Sequence, residues 1–153
     1  MICELNDLKS HMKMGQRIIG LDLGSKTIGI ALSDSLLTIA TPMELIKKKK
    51  FSIDSIRILE IIKEQNVGAI ILGLPMNMNG TEGPRCQSTR QYAENLSKLI
   101  DIPIAYWDER LSTAAVTRTL LEADTSRKKR KDLVDKMAAS FILQGCLDYL
   151  SMR

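Results

Sequence analysis

Ile19-Gly20-Leu21-Asp22-Leu23-Gly24-Ser25-Lys26-Thr27-Ile28-Gly29-Ile30-Ala31-Leu32-Ser33 decides how this chain folds. Two apolar runs flank Gly24-Ser25-Lys26, which has turn chemistry, and the simplest fold of that pattern is a β-hairpin. One residue is out of place in it. Asp22 stands inside the apolar run from Arg17 to Gly24, where an unpaired buried carboxylate costs on the order of several kcal/mol. Its place near the tip of a central strand admits two explanations: a ligand for a cation, or a turn-capping acid that accepts hydrogen bonds from local amides.

Beyond the hairpin, residues 38–45 read as a third, shorter strand, in which Pro42 suits a sheet edge. Over residues 52–65, Ile53, Ile56, Leu59 and Ile62, broadened by Ile58 and Ile61, follow the helical period. Residues 67–74 form a continuous apolar run, short and β-branched, as in a buried parallel strand. A loop rich in Gly and Asn, 75–84, precedes a helix over 85–100, a strand over 103–107, a helix over 112–122, a basic loop, and a last helix over 132–150. In that helix Val134, Met137, Ala138, Phe141, Ile142, Gly145 and Tyr149 form the expected apolar stripe. The order implies an α/β fold: a mixed five-stranded sheet, three antiparallel strands followed by parallel ones, with helices on both faces. In such sheets, sites gather at the carboxyl ends of the parallel strands.

At 153 residues, the chain has length for one core and not for two lobes closing on a ligand. No apolar stretch approaches a membrane span and the first residues do not resemble a signal peptide, so the expected location is the cytoplasm, with no membrane partner. Residues 1–16 are polar and aperiodic and read as a flexible extension ahead of a domain spanning 17–153. Cys3, Cys86 and Cys146 lack zinc-site spacing. With His11 as the single histidine, the sequence does not favour a His-based triad or a His-rich metal site. The net charge of +4 is concentrated in Lys47-Lys48-Lys49-Lys50 and Arg127-Lys128-Lys129-Arg130-Lys131. Each block alone could be a solvated loop; two in one small domain point to a polyanionic partner.

The acids follow the same geometry. Asp108 and Glu109 come directly after an apolar strand, and Asp132 and Asp135 open the last helix. Taken singly, acids at helix starts stabilise by about 0.3 to 1 kcal/mol without any chemistry. Taken together with Asp22, they can converge on one point. Carboxylates without histidine or thiolate make a hard-oxygen site suited to Mg2+ or Mn2+, ions that activate water and hold a phosphate in line. The chemistry this implies is phosphodiester hydrolysis.

Four ordered segments resemble the motifs of the YqgF family, also called RuvX-like, in the ribonuclease H-like superfamily: Ile19 to Gly24, Gly73-Leu74-Pro75 with Asn77 to Pro84, Asp108 to Thr113, and Val134 to Ala139. The resemblance covers nearly the whole chain outside its extension. It implies a single RNase H-like domain and a bacterial cytosolic nuclease, proposed either to mature the 5′ end of the pre-16S ribosomal RNA or to resolve four-way DNA junctions. By it, Asp22, Glu109 and Asp135 match the family's acidic positions and would be the metal ligands, while Asp108 either supplies a ligand or holds Arg110. Arg85, Arg110 and the segment Arg127, Lys128, Lys129, Arg130 and Lys131 are the expected nucleic-acid contacts. Ser112 stands where threonine is common. Ribosomal RNA processing, with ribosomal precursor particles as partners, ranks first and junction resolution second. Monomer and homodimer both stay open. Asp22 to Thr27 also resembles the phosphate hairpin of actin-like ATPases, which close two such lobes on a nucleotide. A non-catalytic nucleic-acid-binding or ribosome-binding factor is the remaining alternative.

Overall fold

The computed structural model describes residues 1–111 and 127–152, with side chains described for 1–111 and 137–152. The hairpin forms as expected, with β1 (Arg17–Leu23) antiparallel to β2 (Thr27–Ser33) and Gly24 N–H donating to Thr27 O at 2.8 Å. β3 (Ala40–Lys47) pairs with β2, and a register shift opposite Pro42 lets proline sit in an edge strand without breaking the ladder. β4 (Val67–Leu74) and β5 (Ile104–Asp108) extend the other side in parallel, giving the order β3-β2-β1-β4-β5. Every residue of β4 is buried, as its unbroken apolar run requires.

Two apolar layers cover the sheet. Helices α1 (Phe51–Glu64) and α2 (Pro84–Ser97) flank the face that carries Ile19, Leu21, Ile70 and Leu72. Helix α3 (Arg127–Ser151) covers the other, over Ile18, Ala31, Ala69 and Ile71. The helix expected over 112–122 lies outside the described residues.

Three expectations about the helices change. In α1 the buried side chains are Asp54, Ser55, Ile58 and Ile61, while Ile53 and Ile56 face solvent. The acid belongs inside because its carboxylate accepts the Lys49 N–H just ahead of the helix. Helix α3 begins at Arg127, so the basic segment expected as a loop is its opening turns; Arg and Lys are good helix formers. Its buried stripe turns toward Ala139, Leu143, Cys146, Leu147 and Leu150, leaving Phe141, Gly145 and Tyr149 only partly covered.

Residues 1–16, expected as a flexible extension, are packed. Cys3 N–H donates to Ile104 O and Ile104 N–H to Met1 O, which covers the open edge of β5. Leu8 is fully buried in the α3 layer, and the Tyr149 hydroxyl donates to Asn6 Oδ1 at 2.9 Å.

Candidate active site

Two glycines establish which side chains share a face. A Cβ on Gly20 would stand 2.8 Å from Leu143 Cβ, and one on Gly73 would stand 2.6 Å from Ile142 Cδ1, so both positions lie directly under α3. Successive strand residues point to opposite faces, so Asp22, two residues beyond Gly20, lies on the α3 face at the end of β1. Leu21 pairs with Leu72, which carries Asp22 level with Gly73 on the neighbouring strand. Gly73 in turn pairs with Trp107 on β5.

Glu109 opens the short 3-10 turn Glu109–Leu111 that follows β5. Its Cγ and Cδ both lie 3.4 Å from where a Gly73 Cβ would be. The side chain therefore folds back across β4, over the gap the glycine leaves, toward the strand that carries Asp22. With neighbouring strands about 4.8 Å apart, this brings two carboxylates to one face and one end of the sheet. Both are partly exposed, as groups meeting a substrate must be.

Helix α3 runs antiparallel to β1. Gln144 bonds to Ala40 N–H and Thr38 O, level with the start of β1, whereas Ala139 O approaches Gly20 near its middle. Position 135, one turn before Ala139, is therefore on the Asp22 side of that contact; the Asp135 side chain lies outside those described. So do the side chains of Arg127 to Lys131, on the first turns of the same helix. Among the described residues no group of three His, Cys, Asp or Glu is gathered that could hold a metal; two carboxylates share that face and end of the sheet.

Asp108 points elsewhere. Its carboxylate is held by Arg110 through Nε at 3.0 Å and a second guanidinium nitrogen at 2.6 Å, and it also accepts the Arg110 N–H. The Arg110 guanidinium keeps that carboxyl below its ordinary range. Of the two roles open to Asp108, the geometry realises the anchoring of Arg110. The arginine's remaining arm reaches Met78 O at 3.4 Å, tying the site to the loop before α2. That loop is braced internally, with Asn77 N–H donating to Thr81 O and Gly80 at φ +87°, a conformation that favours glycine. Gly83 is extended and makes no such demand.

Arg85, in the first turn of α2, is exposed and donates to Leu23 O at 3.4 Å, across the hairpin end. The Lys47 block lies beside the same turn, with Lys48 N–H donating to Lys26 O. Gly20 and Gly73 are site residues that residue-by-residue reading passes over. Their signal was present in the sequence as glycines inside otherwise apolar strands, a mark of close backbone approach.

The fold is that of RuvC-type proteins. RuvC of T. thermophilus in complex with Holliday junction substrate superposes with a TM-score of 0.55 at 13% identity, over 90% of this chain and 96% of that one. The yeast mitochondrial Holliday junction resolvase Ydc2 gives 0.53 at 12% identity, over 96% and 84%. Strand order and these likenesses together define an RNase H-like fold. The chain belongs to the RuvX family, whose model, described as Holliday junction resolvase, matches residues 16–149. A protein of Paramagnetospirillum magneticum named "Putative pre-16S rRNA nuclease" is 61% identical over 142 residues, covering 93% of this chain and 92% of its own. One of the same name from Methylocella silvestris is 55% identical over 149 residues, covering 97% and 92%. Among the described residues no helix is long and apolar enough to cross a membrane.

Proposed function

We propose that this protein hydrolyses phosphodiester bonds in the 5′ region of the pre-16S ribosomal RNA, in the cytoplasm, with a divalent cation at the ends of β1 and β5. The observation that carries this reading is the placing of Asp22 and Glu109 on one face and at one end of the sheet, with Gly73 leaving the space over which Glu109 folds. A donor set of carboxylates without imidazole or thiolate fits a hard cation such as Mg2+ or Mn2+. Asp22 and Glu109 would hold it, with Asp135 from the first turns of α3 as the third ligand. When bound, the ion supplies a water of lowered pKa and neutralises charge that develops on the phosphate. The chain's own residues do the rest. Arg110, fixed by Asp108 and leaning on Met78 O, with Arg85 and with Arg127, Lys128, Lys129, Arg130 and Lys131, would offer cations to the backbone phosphates.

The names borne by relatives at 61% and 55% identity support the RNA substrate. A second reading, cleavage of four-way DNA junctions, is favoured by the description of the matching family model. A four-way junction presents two equivalent strands, so that reading calls for a two-fold dimer, and ribosomal precursor particles are the partner the first one calls for.

The test is direct. Purified protein and its Asp22→Asn variant are incubated with labelled pre-16S RNA and with a four-way DNA junction, each with Mg2+, Mn2+ or chelator. Metal-dependent cutting of the RNA that the variant loses, with binding retained, is the expected result. Cutting of the junction alone favours the second reading, and equal cutting by the variant removes Asp22 from the site.

A further inference from the structure

On the far side of the hairpin from the carboxylates lies a cavity of about 210 Å³. It is walled by the β1–β2 turn, by Lys48 and by the first turns of α2, with Arg85, Ser88 and Tyr92 facing it. Asp22 and Leu23 are adjacent residues that point to opposite faces, so the cavity and the carboxylates flank one strand end. Two cations stand at the cavity without a carboxylate partner among the described residues. Lys48 Nζ leans on Gly24 O at 3.5 Å and Arg85 on Leu23 O at 3.4 Å, both long contacts with neutral carbonyls. The third observation is independent of charge. Tyr92 is 8% exposed and its hydroxyl is buried, so what it turns to the cavity is its ring, which with Leu23 gives the cavity an apolar wall.

We propose that this cavity is a subsite for a nucleotide of the substrate strand next to the scissile one. Its phosphate lies between Lys48 and Arg85, and its base or sugar rests on Leu23 and the Tyr92 ring. The strand then passes from the carboxylates over the end of β1 to the opposite face of the sheet. This rests on the nucleic-acid reading above and adds to it a role for part of the Lys47 block, which the carboxylate face does not use.

The experiment measures binding of a short single-stranded RNA to the full chain carrying Asp22→Asn, over a series of salt concentrations. Adding Lys48→Gln with Arg85→Gln is expected to weaken binding at least about tenfold at low salt. It should also flatten the log–log salt slope by about 0.7, the share of one single-strand phosphate. Wild-type affinity and slope in the lysine–arginine variant overturn the subsite. If it is overturned while Asp22→Asn still abolishes cutting, the nuclease reading stands. If the binding losses appear while the unsubstituted chain cuts nothing, the subsite stands and that reading falls.

Discussion

Glu109 lies across Gly73: a Cβ at position 73 would stand 3.4 Å from both its Cγ and its Cδ. One missing side chain on β4 is thus the floor on which a carboxylate from beyond β5 reaches toward Asp22 on β1. The same absent atom would stand 2.6 Å from Ile142 Cδ1, so the glycine serves the helix above as well as the acid.

Gly73→Ala is therefore expected to do two separable kinds of damage. Overpacking against Ile142 should lower stability by about 1 to 3 kcal/mol, read by urea unfolding. Displacing Glu109 should lower the cleavage rate by about a hundredfold, the scale of a misplacement of about 1 Å. Adding Ile142→Val relieves the first and not the second, so recovered stability with persistent inactivity is the outcome that checks the role of Gly73.

Leu8 predicts a stability effect in a segment whose composition reads as a tail. Its side chain is fully buried against the α3 layer, so Leu8→Ala should cost about 2 to 5 kcal/mol. Denaturant unfolding of the full chain measures it; a loss below about half a kcal/mol would mean that residues 1–16 are not docked in solution.

Asp34 supplies a pH signature. Hydrogen bonds from the Thr38 hydroxyl, then from the Ile39 and Thr38 amides, hold its carboxyl at about 2, below the ordinary 3.8. A carboxyl with a lowered folded pKa contributes stability that is complete above the unfolded value and fades as pH falls through the folded one. The carboxylate is near the surface, so the contribution should stay under about 1 kcal/mol. Unfolding curves of wild type and Asp34→Ala should differ at neutral pH and converge between 3.8 and about 2.

The opening turns of α3 carry a binding prediction. Neutralising Arg127, Lys128 and Arg130 together should weaken binding to RNA and reduce its salt slope by about 0.7 for each phosphate no longer neutralised, with thermal stability nearly unchanged. Filter-binding titrations across salt concentrations check this. An unaltered slope would make these residues a solvated helix start.

The sheet was legible because its signals are local. The turn at Gly24-Ser25-Lys26, the proline at Pro42 and the unbroken apolar run at 67–74 each carry their own physical reason, and the order β3-β2-β1-β4-β5 follows from them. Helix faces were less legible. In α1, isoleucines occur on both sides of the cylinder, so periodicity alone cannot tell the inner Ile58 and Ile61 from the outer Ile53 and Ile56. The charge density of Arg127 to Lys131 reads as loop, although those side chains favour helix wherever they stay solvated. Nor does polarity in residues 1–16 reveal that an open strand edge awaits them at Ile104. As for the site, Asp22 and Glu109 were legible as acids at strand ends, and the anchoring of Arg110 by Asp108 was one of two alternatives left open. That Glu109 folds over a glycine toward the strand of Asp22 depends on sheet register, which no single segment encodes.

The seat of Leu143 on Gly20 gives α3 a pivot. Position 135 stands eight residues from it, a lever arm of about 12 Å at 1.5 Å per residue. A tilt of about five degrees at the pivot would swing the far end by about 1 Å, enough to cost on the order of a hundredfold in rate were a catalytic group mounted there. A methyl group's worth of slack in the middle of the protein would thus be magnified at its rim, and the accuracy of the chemistry would be stored in the dullest packing of the core.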